Sequence, residues 1–288
     1  MAQSKHQIEA LLAEAQSQPR HRFGQNFMID QNLVRVVAEA GLIAKGDLVI
    51  EVGPGTGTLT EELLERAGQV VAVEIDRDLA AMLRTRFADR GNFILIEGDA
   101  LAAKHALSAE LLAALGRAMP GQPRKLVANL PYNIASPLII ELLIAGVDLL
   151  AFTVQKEVAD RLRAPAGGDD YGPLSVMAQL LAKVEMLRTL PPQAFWPAPK
   201  IDSALVRLTR ADRLGDRAAE FTVFVHALFS YRRKMLRKAL AQAGYQADAL
   251  LAATGLEGNR RPEEFTPEQL LALFDKAPRG GAKSGDGL

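Results

Sequence analysis

The chain has 288 residues, 49% of them apolar and 24% charged, the balance of a globular protein with room for one large domain and one small one. Its 34 basic and 34 acidic residues cancel, so no overall field points to nucleic acid, and any such contact has to come from a local cluster. With no cysteine there are no disulfides, thiolate nucleophiles or thiolate-held metals, and His6, His21, His105 and His226 have no i, i+4 spacing, so no metal site is expected.

The segment Met1 to Arg20 is polar and acidic where a signal peptide carries an apolar run. No stretch reaches the roughly 18 apolar residues of a membrane span. A cytoplasmic protein without a membrane partner is the expectation. From residue 47 short apolar runs alternate with segments of helical period. Asp47–Val52 reads as a strand, Leu59–Ala67 as a helix stopped by Gly68, and Val70–Ile75 as a second strand. Arg77–Phe87 reads as a helix, Phe93–Glu97 and Lys125–Ala128 as strands, Pro137–Ala145 as a helix and Leu150–Gln155 as a fifth strand. Such alternation specifies βαβ units and a mainly parallel sheet. Lys183–Leu190 and Ile201–Thr209 read as later strands, expected as a hairpin at one sheet edge. Beyond Thr209 the pattern turns helical: Ala218–Ser230, Arg233–Ala243, Ala247–Thr254 and Pro267–Asp275, punctuated by Gly244, Gly255 and Pro262. A helical domain is expected over 211–277 and a disordered tail over 278–288, which is Gly-rich and polar.

The first strand runs into Gly53-Pro54-Gly55-Thr56-Gly57 and then a helix. Glycines there allow positive φ and let a ligand approach the backbone. The spacing is G-x-G-x-G after an acidic residue, with Thr58 where the dinucleotide fingerprint needs its third glycine. It resembles motif I of the S-adenosylmethionine methyltransferases. Glu74, at the end of the second strand, is placed to accept hydrogen bonds from both hydroxyls of a ribose, and Asp99, at the end of the third, from an adenine amine. Taken singly, each is also an ordinary strand-end carboxylate; together they mark one sheet edge. Glu51, Glu74 and Asp99 with no matching Lys or Arg suit a cofactor carrying a sulfonium and an ammonium and no phosphate.

The fourth strand closes on Asn129-Leu130-Pro131-Tyr132. This is the (Asn/Asp/Ser)-x-Pro-(Tyr/Phe) pattern of methyltransferases that act on exocyclic amines of bases. The lone pair of such an amine is delocalised into the ring. Acceptors at the Asn129 side-chain oxygen and the Leu130 carbonyl would take both N6 hydrogens and aim the lone pair. Pro131 fixes φ and offers no donor, and Tyr132 is suited to stack on the base. The bland alternative is a strand-end turn with a buried tyrosine.

With these motifs the chain resembles the small-subunit (16S) ribosomal RNA adenine N6,N6-dimethyltransferase family over nearly its whole length. Further matching stretches are Arg22-Phe23-Gly24-Gln25-Asn26-Phe27, Gln155-Lys156-Glu157-Val158-Ala159-Asp160-Arg161, Tyr171-Gly172-Pro173-Leu174-Ser175 and Phe195-Trp196-Pro197-Ala198-Pro199-Lys200-Ile201-Asp202-Ser203-Ala204. The resemblance implies a Rossmann-like α/β methyltransferase fold, with a mainly parallel seven-stranded sheet over 31–210 and a small C-terminal all-helical domain. It also implies an N-terminal segment, residues 1–30, that covers the cofactor and RNA site. The cofactor would be S-adenosyl-L-methionine, held by Asn26, the backbone of Met28, Gly53, Gly55, Glu74, Asp99 and Asn129. Asn129, Tyr132 and Phe195 would form the adenine slot, with Phe195 as the wall opposite Tyr132. The substrate would be two adjacent adenosines in a hairpin near the 3′ end of the RNA of an immature 30S subunit, each methylated twice by a monomer. Arg20, Arg22, Arg232, Arg233, Lys234 and Arg237 are the expected phosphate contacts; taken alone, the run Tyr231 to Lys238 would equally be a solvated helix face. The alternatives are a large-subunit rRNA adenine methyltransferase and a non-catalytic RNA-binding assembly factor on the same fold.

Overall fold

The computed structural model describes residues 3–15, 17–20 and 23–277. The chain divides into two compact units, one running to Ala159 and including Val184–Arg210, the other formed by Asp160–Lys183 with the residues from Ala211 onward.

In chain order the first unit holds α1 (Lys5–Glu14), β1 (Phe27–Met28), α2 (Gln31–Ala40), β2 (Leu48–Val52), α3 (Thr58–Arg66), β3 (Gln69–Glu74) and α4 (Arg77–Arg86). There follow β4 (Phe93–Glu97), β5 (Leu101–Ala103), β6 (Ala106–Leu107), α5 (Ala109–Gly116), β7 (Arg124–Asn129), α6 (Ala135–Ile144), β8 (Leu149–Gln155) and the first half of α7 (Lys156–Arg163), which the division cuts after Ala159. After an excursion into the other unit come β9 (Ala182–Leu190), β10 (Phe195–Trp196) and β11 (Ser203–Arg210).

The seven-stranded sheet has the order β4-β3-β2-β7-β8-β11-β9. Strands β4, β3, β2, β7 and β8 are parallel, and β11 runs antiparallel to β8 with Ser203 opposite Gln155. The expected edge pair of late strands is present as β11 and β9. Parallel strands with helices on both faces read as continuous apolar runs, and all five residues of β2 are buried. Alternate residues serve opposite faces. Val49 joins Val34, Val37, Leu59 and Leu63 in one cluster, while Leu48 joins Val71 and Ala114 in another. Strands β3 and β4 lie on one side of β2, and β7 and β8 on the other. The reversal between β2 and β7 is a topological switch point, whose crevice beyond the carboxyl strand ends is the usual ligand site of open α/β sheets. Register pairs Ile50 with Leu126, so the glycine loop after β2 and the Asn-Leu-Pro-Tyr turn after β7 emerge side by side.

The second unit contains α8 (Pro173–Leu181), α9 (Ala218–Ser230), α10 (Leu236–Gln242), α11 (Ala247–Thr254) and α12 (Pro267–Lys276). Aromatic rings fill its core: Phe221 meets Phe274 with centroids 5.3 Å apart, and Phe224 meets Tyr245 at 5.2 Å. The Tyr171 hydroxyl donates to the Phe265 carbonyl at 2.8 Å. Ser175 Oγ donates to the Arg161 carbonyl at 2.5 Å and accepts from Gly172 N at 3.1 Å. The Tyr-Gly-Pro-Leu-Ser stretch thus builds the interior of this unit. A boundary drawn at 210/211 leaves residues 160–183 with the sheet; they group instead with the helices, because α8 packs on α9 and α12.

Two further expectations change. The helix expected from Arg233 begins at Leu236, after a turn over residues 231–235. Leu236 N and Arg237 N donate to the carbonyls of Arg260 and Gly258, which start the helix where those acceptors stand. Helices α1, α2, α5, α7 and α8 and the short strands β1, β5, β6 and β10 are not among the expected elements. His21, Arg22 and the expected tail 278–288 lie outside the described residues.

Candidate active site

The loop after β2 turns through Gly53 and Gly55, at φ 74° and 59°. A Cβ on Gly53 would meet the Pro131 ring at 3.0 Å, and one on Gly55 the Phe27 ring at 2.9 Å. Bare backbone is therefore needed for the loop to pack against both the turn after β7 and the N-terminal segment. Beside it opens a cavity of about 900 Å3, mouth included, lined among others by Asn26, Met28, Glu51, Glu74, Asp99 and Asn129, with no Lys or Arg in its lining among the described residues.

Its carboxylates differ in setting. Glu74, at the end of β3, is buried; Gly55 N donates to its Oε2 at 3.1 Å and Asp76 N to its Oε1 at 2.9 Å. Burial outweighs these bonds and pushes its pKa up to about 7. Glu51, on β2, is also buried and accepts from the Thr60 hydroxyl at 2.7 Å. Burial is the main cause that raises it to about 8; Thr60 opposes the rise and the Glu74 charge adds to it. Asp99 is exposed at the mouth, with Oδ1 accepting from Leu101 N at 2.9 Å.

The turn after β7 meets the same cavity. Asn129 Nδ2 donates to the Asn26 carbonyl at 2.5 Å, and Asn129 Oδ1 accepts from the Thr153 hydroxyl. Leu130 N donates to the Thr153 carbonyl at 3.2 Å. Tyr132 is half-buried with its hydroxyl 2.7 Å from Ser203 Oγ; burial raises its pKa, against that hydrogen bond. The structure therefore brings Asn26, Met28, Gly53, Gly55, Glu74, Asp99 and Asn129 to one cavity, with Tyr132 three residues along the same turn.

Phe195 is placed otherwise than expected. It is 2% exposed, belongs to the core cluster of Met28, Leu190 and Leu205, and does not line the cavity. The reason is the pairing of β1 with β10, which sets Phe195 opposite Met28 and turns its ring inward. Arg20 is not a free cation either. It bridges Asp76 at 3.0 Å and Asp78 at 2.6 Å, pinning the N-terminal segment to the start of α4. Arg237 is ion-paired with Asp248. Arg232, Arg233 and Lys234 are exposed in the turn before α10 and make no ion pair among the described residues. That sets them apart from Arg213, Arg217, Arg260 and Arg261 of the same unit, which are all paired.

Sequence reasoning passed over Gln3 and Thr153, and met Ser203 only as part of a matching stretch, with no role. Gln3 is buried against the glycine loop: its Nε2 donates to the Thr56 carbonyl at 3.2 Å, and its Oε1 accepts from Thr56 and Thr58 hydroxyls at 2.6 and 2.8 Å. The Ser4-x-x-Gln7 capping box, which starts α1 and so fixes where Gln3 points, was the available signal. The signal for Thr153 was a hydroxyl inside the apolar run over residues 149–154, and for Ser203 a hydroxyl opening the strand Ser203–Arg210.

Comparison with known proteins gives a consistent picture. The ribosomal RNA adenine dimethylase family matches residues 16–278. A ribosomal RNA small subunit methyltransferase A of Magnetococcus marinus is 41% identical over 92% of this chain and 94% of its own length. The protein of that name from Pseudomonas putida is 40% identical over 91% and 96%. Among solved structures, the 23S rRNA methyltransferase ErmE superposes with a TM-score of 0.61 at 30% identity, covering 87% of this chain and 99% of its own. A dimethyladenosine transferase from Plasmodium falciparum gives 0.65 at 24% identity over 86% and 95%, a likeness of fold.

Proposed function

The chain belongs to the ribosomal RNA adenine dimethylase family, and we propose that it dimethylates the N6 amines of two adjacent adenosines in a hairpin near the 3′ end of small-subunit rRNA, using S-adenosylmethionine. The observation that carries this reading is the meeting, on neighbouring strands β2 and β7, of a carboxylate-lined cavity, free of cations among the described residues, and an Asn-Leu-Pro-Tyr turn. Relatives named for the small subunit share about 40% identity with the chain, whereas the large-subunit enzyme ErmE shares 30%. This favours the small subunit over the large.

The donor set fits the cofactor: the cavity offers Glu51, Glu74 and Asp99 and, among the described residues, no Lys or Arg for a phosphate. When bound, S-adenosylmethionine supplies an electrophilic methyl on a sulfonium, so no strong general base is required. Glu74, whose oxygens keep a lone pair beyond the backbone donors Gly55, Ile75 and Asp76, accepts from the ribose hydroxyls. Asp99 accepts from the adenine amine, while Asn26 and the backbone of Met28 cover the methionine end. Asn129 Oδ1 and the Leu130 carbonyl would accept the two hydrogens of the target N6, holding its lone pair toward the methyl; the N–C bond forms as the S–C bond breaks, releasing S-adenosylhomocysteine, and N6 gives up a proton to water. Tyr132 stacks on the base, and Phe195 supports Met28 from the core. Rate enhancement rests on positioning and fixed dipoles. The target base has to leave its stack, at about a few kcal/mol, less in a loop. Arg232, Arg233 and Lys234 hold RNA phosphates. We place the reaction on immature 30S subunits in the cytoplasm, with the enzyme a monomer.

The test is transfer of labelled methyl groups to separated, unmethylated subunits, followed by nucleoside analysis. N6,N6-dimethyladenosine in small-subunit RNA alone is expected; label in large-subunit RNA alone would replace this reading with the large-subunit one.

A further inference from the structure

Two hydroxyls reach the Asn129–Tyr132 turn from neighbouring strands. Thr153, on β8, stands opposite Asn129 in the parallel register and is fully buried. Its hydroxyl donates to Asn129 Oδ1, while Asn129 Nδ2 donates to the Asn26 carbonyl. A carbonyl can only accept, so the amide nitrogen has to lie on the Asn26 side and the oxygen on the Thr153 side. Between them these partners select one of the two flip states of the carboxamide. The selection bears on chemistry. A flipped amide would aim N–H donors at the N–H groups of the target amine, whereas the selected one keeps an oxygen lone pair free after accepting from Thr153.

Tyr132 is held in a similar way. Its hydroxyl meets Ser203 Oγ, and Ser203, which opens β11, is fully buried opposite Gln155, two residues beyond Thr153 on β8. A buried hydroxyl in a strand is a liability unless it is bonded. Apolar residues of the same size would suit β8 and β11 as well, so packing alone does not call for these two.

We propose that Thr153 and Ser203 are positioning residues, whose hydroxyls orient the Asn129 carboxamide and the Tyr132 ring to receive the target adenine. The inference rests on the reading of the turn given under Proposed function. It carries a consequence that a merely structural role lacks. After the first transfer N6 has one hydrogen left, so the second transfer has fewer acceptor contacts to align it and is more sensitive to a disordered amide.

Thr153→Val keeps the shape and β-branching, and Ser203→Ala removes only the hydroxyl. Each is compared with the wild type for turnover on unmethylated small subunits, for the ratio of monomethyl to dimethyl product, for S-adenosylhomocysteine affinity and for melting temperature. Thr153→Val is expected to lower kcat about tenfold and accumulate N6-methyladenosine, with ligand affinity kept within about twofold. Thr153→Ser restores the product ratio. Ser203→Ala lowers kcat about threefold at unchanged ligand affinity. Wild-type kcat and product ratio in Thr153→Val, or wild-type kcat in Ser203→Ala, overturn the role of that residue and leave the dimethyltransferase reading standing. A kcat loss matched by equal losses of ligand affinity and melting temperature overturns it too. A wild-type protein that forms no dimethyladenosine removes the reading itself.

Discussion

Replacing Glu51 by Gln isolates the electrostatic character of the cofactor cavity. Burial, opposed by the Thr60 hydroxyl and reinforced by the Glu74 charge, pushes the Glu51 carboxyl from 4.5 up to about 8. Because the folded value lies above the unfolded one, the folded state holds an extra proton between them. The stability this group contributes is complete below about pH 4.5 and is lost as pH rises toward 8. Each pH unit in that window removes about 1.4 kcal/mol, or about 3 kcal/mol between pH 5.5 and 7.5, as an order of magnitude. For a protein of this size that lowers the melting temperature by roughly 6–12 °C. Gln has the same shape, accepts from Thr60 and has no proton to lose. Glu74, raised to about 7, tilts both proteins in the same direction, so the difference between them is the readout. Thermal melts of the ligand-free proteins across pH 5 to 9 should show the wild type falling more steeply than Glu51→Gln. Saturating S-adenosylmethionine should flatten the wild-type decline, since a cationic ligand favours ionised carboxylates. Parallel melting profiles for the two ligand-free proteins would refute the reasoning.

Gln3→Ala removes three hydrogen bonds that brace the glycine loop; cofactor affinity should fall roughly fivefold by calorimetry, and an unchanged Kd would mean the loop holds itself. Arg20→Ala leaves fully buried Asp76 without its cation and should destabilise the fold by about 2 kcal/mol in denaturant melts. It should leave the salt dependence of RNA binding as it was; a changed salt slope would return Arg20 to the RNA. Exchanging Arg232, Arg233 and Lys234 together for Gln should lower the slope of log affinity against log salt by about 2 to 3, and an unaltered slope would clear that turn of phosphate contacts. Tyr132→Ala should cost about 1–3 kcal/mol of base stacking, seen as a loss of turnover with S-adenosylhomocysteine binding retained; full turnover would remove the stacking role.

What could be read from the sequence follows how local each cause is. The parallel strands are apolar runs because both faces are covered, and the glycine loop is set by local backbone demands, so both could be read directly. The shared edge of Glu74, Asp99 and Asn129 was legible because Glu74 and Asn129 end strands and Asp99 follows one by two residues. Helix α1 hides behind a short, weakly periodic segment whose signal is its cap at Ser4, whereas α2, capped at Asp30, buries Leu33, Val34, Val37 and Ala38 along one face, a period that was there to be read. Phe195 and Arg20 were misplaced for a different reason. Whether an aromatic ring faces a cavity or the core depends on a two-residue pairing with β1, and whether an arginine is free depends on carboxylates 56 and 58 residues away. No local pattern carries such partners. Thr153 shows the same limit: a threonine in a strand looks ordinary until register sets it opposite Asn129.

The account stands on the turn after β7 holding a base amine beside the methyl donor. A crystal structure with a bisubstrate analogue, adenosine joined through N6 to the methionine moiety of the cofactor, measures this directly. The account predicts N6 within hydrogen-bond distance of Asn129 Oδ1 and the Leu130 carbonyl, the purine against Tyr132, and the amino acid portion near Asn26. A purine bound away from that turn, with Asn129 still engaged only by Asn26 and Thr153, would contradict it.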